Sequence, residues 1–209
     1  MGRGKMELPY YLKIGTEKLI EGMDLNTMSA NAKELSRRYM EESGQGKSLL
    51  SKNDEAAVYS LMRMPATFSA VSFVLDKVCE ISDFVPRTLL DAGAGTGGAT
   101  FAANEFFALD KITCLERELA MENIGKKLMA ASEDEVLRAA TYIRKDLDHE
   151  IPGDLRKGGQ HLAGIFLPGG LSGDDHRPGV HHFRRNARFA VFRLQKRPDG
   201  LSIHQIMAF

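Results

Sequence analysis

With 209 residues, 43% of them hydrophobic and 27% charged, the chain has the composition of a globular protein. That excludes intrinsic disorder and a collagen-like fibre, and two cysteines, Cys79 and Cys114, exclude a disulfide scaffold or a cysteine-rich metal site. The N-terminal MGRGKMELPYY carries charge with no apolar stretch behind it, and no uncharged run approaches the roughly 20 residues of a membrane span. The reading is a soluble intracellular protein with no membrane partner.

The formal net charge of zero hides a split. Residues 1–157 carry 21 Lys and Arg against 25 Asp and Glu, whereas residues 158–209 carry 7 against 3. All six histidines lie at or beyond His149, and no glutamate follows Glu150. A basic tail is one signature of nucleic-acid contact.

In chain order, residues 1–85 read as helical. Leu8, Leu12, Leu19, Ile20 and Met23 fall near helical spacing, interrupted by Gly15. Ser29 is placed to cap a helix bearing Ala32, Leu35 and Tyr39, which ends at Ser43-Gly44-Gln45-Gly46. A third helix starts at Ser51 or Asn53 and sets Met64, Phe68, Val71, Leu75 and Val78 on one core-facing stripe. Pro65 is expected to kink or divide it.

From Pro86 the period changes. Residues 87–91 read as a short strand, 98–107 as a helix, 111–116 as a strand, 117–130 as a helix and 140–144 as a strand. Strand, helix, strand, helix, strand is the opening half of a doubly wound parallel sheet.

The chemistry sits in LLDAGAGTGGAT, where Asp91, Gly93, Gly95 and Gly97 form D-x-G-x-G-x-G between a strand and a helix. Glycines there allow a tight turn and let a ligand approach the backbone without meeting a Cβ. Gly93, Gly95 and Gly98 also satisfy G-x-G-x-x-G, so a dinucleotide such as NAD has to be weighed. Asp91 favours S-adenosylmethionine, because an acid two residues before the first glycine suits a cationic methionyl group. Glu116 ends the second strand, placed to accept hydrogen bonds from ribose hydroxyls. Asp146, after the third strand, is positioned for an adenine amino group. Glu118 reads as solvated charge at a helix start.

Other signals fail on their own terms. Gly44-Gln45-Gly46-Lys47-Ser48 resembles the end of a phosphate loop, but Glu41 stands where a glycine is needed and no strand precedes it. His176, His181 and His182 with Asp174 and Asp175 lie around Pro178 and Gly179, which deny a metal a regular scaffold. No Ser/His/Asp arrangement emerges, and no catalytic residue is assigned.

Two motifs together carry a resemblance. Ala57-Val58-Tyr59 leading into Arg63-Met64-Pro65-Ala66-Thr67-Phe68-Ser69-Ala70, followed by the glycine turn, is similar to the methyltransferase-like family that assembles the small ribosomal subunit of mitochondria, with its bacterial relatives. Leu8-Pro9 and Leu35-Ser36-Arg37-Arg38-Tyr39 add to it, and the likeness covers residues 6–157. It implies an α/β protein: a helical N-terminal domain, 1–85, then the first half of a Rossmann-like class I methyltransferase sheet, 86–157. It further implies S-adenosyl-L-methionine as cofactor, with Asp91, Gly93, Gly95, Gly97 and Glu116 matching the family's cofactor positions. The implied partner is the small ribosomal subunit or its rRNA, in a bacterial cytoplasm or a mitochondrial matrix. Some members of the family have doubtful catalytic activity, so a non-catalytic docking platform is the alternative, and an NAD-dependent oxidoreductase the third reading.

Beyond residue 157 the chain departs from the family. The expected fourth strand ending near S-Y-x-L-G-E-L and the cysteine cluster able to hold iron–sulfur or another metal are absent, so no metal role carries over. Residues 158–209 read as an atypical basic tail without strand–helix periodicity. Loss of Glu, gain of His and Arg and loss of periodicity together predict a shifted reading frame from near Gly158. Codons for GGQHLAGIFLPGGL can be chosen that read ADSILLAYSYLGDL one nucleotide along. On this reading three strands leave a parallel sheet with an open edge, and instability and weak or absent methyl transfer are expected.

Overall fold

A computed structural model describes residues 7–24, 26, 28–30, 32–34, 37, 52–81, 85–145, 160–166, 189–197 and 200–208, the last three stretches as backbone alone. Helix α1 spans Tyr10–Leu19 and α2 spans Asn53–Ile81. Then follow β1 (Thr88–Ala92), α3 (Gly98–Phe106), β2 (Lys111–Glu116), α4 (Leu119–Ala130), the short α5 (Glu135–Arg138) and β3 (Thr141–Arg144). Strands β4 (Gln160–Phe166), β5 (Phe189–Arg197) and β6 (Gly200–Ala208) complete the order. The helix expected over residues 29–39 is described only in part, helical at 29, 30, 32–34 and 37, while Leu35, Tyr39 and the Ser43–Gly46 stop lie outside the described residues.

The sheet runs β3-β2-β1-β4-β5-β6. β1 pairs in parallel with β2 on one side and β4 on the other, and β2 pairs in parallel with β3. The chain therefore leaves β1 in one direction and returns to its opposite flank, so strand order reverses at β1. In open α/β sheets that reversal opens a crevice at the carboxyl ends of the strands, and the glycine turn follows directly from β1.

One expectation is corrected, and of the two outcomes foreseen at Pro65 one does not occur. β4 covers the edge of β1 that three strands would have left open, pairing Thr88 to Ala92 with His161 to Ile165. β5 then adds antiparallel to β4, and β6 antiparallel to β5. The run Leu162-Ala163-Gly164-Ile165-Phe166 is uninterrupted and apolar, as in a strand buried on both faces, so it offers no alternation for a periodicity reading to find. The hairpin has a sequence signal of its own, Pro198-Asp199-Gly200 between two strand-like runs. Pro65, in turn, does not divide α2, which is continuous over 29 residues with Pro65 inside it. The ring removes one helical hydrogen bond, and a helix anchored along its length by core contacts carries that loss.

The N-terminal helices share a core with the elements that follow. Leu8 and Leu12 of the first segment, Met64, Phe68, Val71, Leu75 and Val78 of α2, and Phe101, Ile112, Ile124 and Leu128 beyond it all belong to one apolar cluster. α2 packs across α3 and α4, and α1 closes over α2 and α4. By length and composition α2 could cross a membrane, but its stripe at Met64, Phe68, Val71, Leu75 and Val78 is fully buried here, which makes it the core helix.

One polar atom in that core has no partner among the described residues, the Ser72 hydroxyl on α2. An unpartnered buried hydroxyl costs about 1–3 kcal/mol. Ser72→Ala is therefore expected to raise stability by about 1 kcal/mol, read as a higher urea midpoint with an unchanged slope; a lower midpoint would show that the hydroxyl has a partner.

Candidate functional site

The site grows out of the end of β1. Gly93, Gly95 and Gly97 all take positive φ, at 77°, 56° and 94°, and no non-glycine residue described does so. A side chain at any of them would strain the backbone. The turn is sewn to β2 by Gly93 N–H and Ala94 N–H, which both donate to the Leu115 carbonyl at 2.9 and 3.0 Å. It closes on itself through Gly97 N–H to Ala94 O at 2.8 Å, and α3 starts as Phe101 N–H reaches Gly97 O.

Glu116 is the next fastening. Its Oε2 accepts from Gly95 N–H at 2.7 Å, and its Oε1 accepts from the N–H groups of Arg117 and Glu118, both at 2.8 Å. The carboxylate is almost wholly buried. Burial raises its pKa, opposed by the three backbone N–H bonds. The structure thus brings Glu116 to the middle glycine of the turn, as a neighbour at the strand ends.

Asp91 lies deeper. It is 1% exposed, and its Oδ2 accepts the Thr100 hydroxyl at 2.7 Å from the first turn of α3. In register it stands beside Cys114, which stands beside Tyr142, so the three form one row across β1, β2 and β3. The Thr100 hydroxyl also lies 3.4 Å from Cys114 Sγ. With its single proton given to Asp91, Thr100 accepts from the thiol. Desolvation lifts the Asp91 pKa to about 6, against the lowering effect of the Thr100 hydrogen bonds, and nearby Glu116 pushes the same way as burial. Burial likewise raises the Cys114 thiol, with Asp91 adding to it.

Tyr142 is the residue that sequence reading placed in a strand and gave no role. Its hydroxyl donates to the Gly95 carbonyl at 3.2 Å. The signal available was a tyrosine two residues before the end of the third strand, which by itself says only that a polar tip needs a partner. From the other side, Ser60 of α2 donates to Thr96 Oγ1 at 3.2 Å, with both side chains buried. Thr67, the last residue of the R-M-P-A-T block, lies so near Gly98 that an added Cβ there would sit 3.1 Å from its methyl. Glu118 is largely buried and pairs with Arg117, where solvated charge was expected. Asp146 lies outside the described residues, as do His176, His181 and His182.

These contacts join the two motifs that carry the family resemblance. Residues 53–152 match the family model described as mitochondrial small ribosomal subunit Rsm22. Both motifs fall inside that span, so the resemblance read from them holds over it. The mitochondrial ribosome assembly protein METTL17 of Homo sapiens is 32% identical over 80 residues, covering 37% of this chain and 18% of that protein. The chain thus spans about a fifth of the length of the curated relative it matches. Among solved structures, a Methanococcus maripaludis protein classed with S-adenosyl-L-methionine-dependent methyltransferases is 16% identical, with a TM-score of 0.42, over 59% of this chain and 67% of its own. The S-adenosylmethionine-bound amino pentose methyltransferase CalS10 of Micromonospora echinaspora is 13% identical, with a TM-score of 0.37, over 85% and 80%. The fold itself rests on strand order and register rather than on these superpositions.

The raised Asp91 pKa makes stability depend on pH. The folded state holds the proton more tightly than the unfolded chain, so this carboxyl's contribution is full below pH 4 and is lost as pH rises from about 4 to about 6. Relative to Asp91→Asn, the unaltered chain should lose ~3 kcal/mol of stability across that window and run parallel to the variant above it. Urea unfolding of both proteins at pH 4, 5, 6 and 7 measures the difference; a gap independent of pH would place the Asp91 pKa at its ordinary value.

Proposed function

We propose that this chain binds S-adenosyl-L-methionine at the glycine turn and acts as a methyltransferase-like factor of the small ribosomal subunit or its rRNA, in a bacterial cytoplasm or a mitochondrial matrix. The observation that carries the proposal is the Glu116 carboxylate fixed beside Gly95 at the strand-order reversal. Its Oε2 holds one hydrogen bond among the described residues, and a carboxylate oxygen accepts two. A ribose hydroxyl fits the remaining acceptor. Gly95 leaves space for the sugar: an added Cβ there would meet only the far end of Met121, at 3.9 Å. Gly93 and Gly97 shape the rest of the turn, and Asp146 stands as the proposed adenine contact.

Asp91 serves the methionyl end. Buried and turned to Thr100, it acts as a negative charge behind the turn, favouring a cationic methionyl group through a low-dielectric interior. S-adenosylmethionine, when bound, supplies an electrophilic methyl group on a sulfonium. The residues here bind and orient it, which is most of what methyl transfer asks of a protein. The likeness of residues 53–152 to a small-subunit family supports the ribosomal setting.

Calorimetric titration with S-adenosylhomocysteine tests the cofactor. Binding is expected for the unaltered chain, with a roughly tenfold or greater loss in Glu116→Ala, the scale of hydrogen bonds to a charged group. NAD should not compete; displacement by NAD would favour the oxidoreductase reading. Methyl transfer to small-subunit rRNA that disappears in Asp91→Ala would make the protein an enzyme. Binding without transfer would make it a docking platform.

A further inference from the structure

Gly95 is held at both ends of its backbone by side chains from two different strands. Its N–H is given to Glu116 on β2, and its C=O receives the hydroxyl of Tyr142 on β3. The next residue, Thr96, is held in turn by Ser60 on α2. A turn with three positive-φ glycines has wide conformational freedom, so it needs such fastenings to keep one shape before a ligand arrives.

The fold makes a specific space for the Tyr142 hydroxyl. α4 passes over it at Gly125, where an added Cβ would fall 2.0 Å from the hydroxyl oxygen and 2.6 Å from Cζ. At Gly97 an added Cβ would lie 3.4 Å from the same oxygen. Gly125 sits inside a helix, where glycine costs about 1 kcal/mol relative to alanine. Tolerating that cost admits the tip of the tyrosine ring between helix and turn. Tyr142 is itself largely buried, and burial together with Cys114, Asp91 and Glu116 holds its hydroxyl protonated as a donor.

We infer that Tyr142 is a positioning residue of the cofactor site. Its hydroxyl fixes the orientation of the Gly95 carbonyl, which keeps the Gly95 N–H on Glu116 and the Glu116 carboxylate in place for ribose hydroxyls. The inference rests on the cofactor reading above and deepens it by naming what preorganises the ribose end of the site. Such fastening lowers the ordering cost of binding instead of adding a contact to the ligand.

The test separates a positioning role from a merely structural one by ligand choice. The full chain and Tyr142→Phe are titrated with adenosine and with 2′,3′-dideoxyadenosine, after S-adenosylhomocysteine has shown that the unaltered chain binds. Tyr142→Phe should weaken adenosine roughly three- to tenfold, the scale of one neutral hydrogen bond, and leave dideoxyadenosine, which has no hydroxyls for Glu116, unchanged. Equal losses for both ligands, or no loss for either, would overturn the inference while leaving the cofactor reading standing. Failure of the unaltered chain to bind S-adenosylhomocysteine would sink both. Should Tyr142→Phe fail to fold, Tyr142→Met, apolar and flexible enough to fill the same slot, gives the same ratio.

Discussion

Three backbone N–H groups converge on the Glu116 carboxylate, and the candidate site depends on that convergence. Two of them, from Arg117 and Glu118, turn the chain out of β2, and the third, from Gly95, belongs to the turn leaving β1. One side chain thus sets the distance between two adjacent strand ends. Burying a carboxylate is costly unless its lone pairs are occupied, and here three backbone hydrogen bonds oppose that cost. The same bonds select the turn conformation, in which glycines alone are comfortable. Remove the acid and both strand ends lose their reference point.

The second constraint comes from α2. The R-M-P-A-T block and the glycine turn lie some twenty residues apart in sequence, and the structure puts them in contact through Thr67 at Gly98 and Ser60 at Thr96. Their co-occurrence therefore has a physical cause: α2 forms one wall of the turn. The N-terminal helices share one apolar core with the sheet's helices. A buried polar row, Asp91, Cys114 and Tyr142, then runs beneath the turn, with Thr100 bridging its first two members.

The parts legible in sequence are those whose signal is local. Lys111–Glu116 was readable as a strand residue for residue, because a β-branched and apolar run is bounded by charge on both sides. The glycine turn announces itself by composition. Leu119–Ala130 shows helical spacing at Ile124 and Leu128, whereas Leu119, five residues before Ile124, is half-exposed at the helix start. What escaped reading is non-local. Tyr142 acquires a role only when Gly125 and Gly95 are brought to it by the fold. Asp91 looks like a ligand-facing acid by spacing, and its hydrogen bond to Thr100 exists only once α3 is folded back on β1. β4 escaped because a strand apolar on both faces has no alternation to detect, and α5 because four residues are too few for a period.

The site requires that Glu116 hold the turn before any ligand arrives. Amide hydrogen exchange, followed by NMR on the unliganded chain and on Glu116→Ala, reads this directly. The amides of Gly95, Arg117 and Glu118 are expected to be protected in the unaltered chain, and all three to exchange faster in the variant while Thr113 and Cys114 inside β2 remain slow. Exchange of the Gly95 amide at the rate of an open loop in the unaltered chain would contradict that requirement.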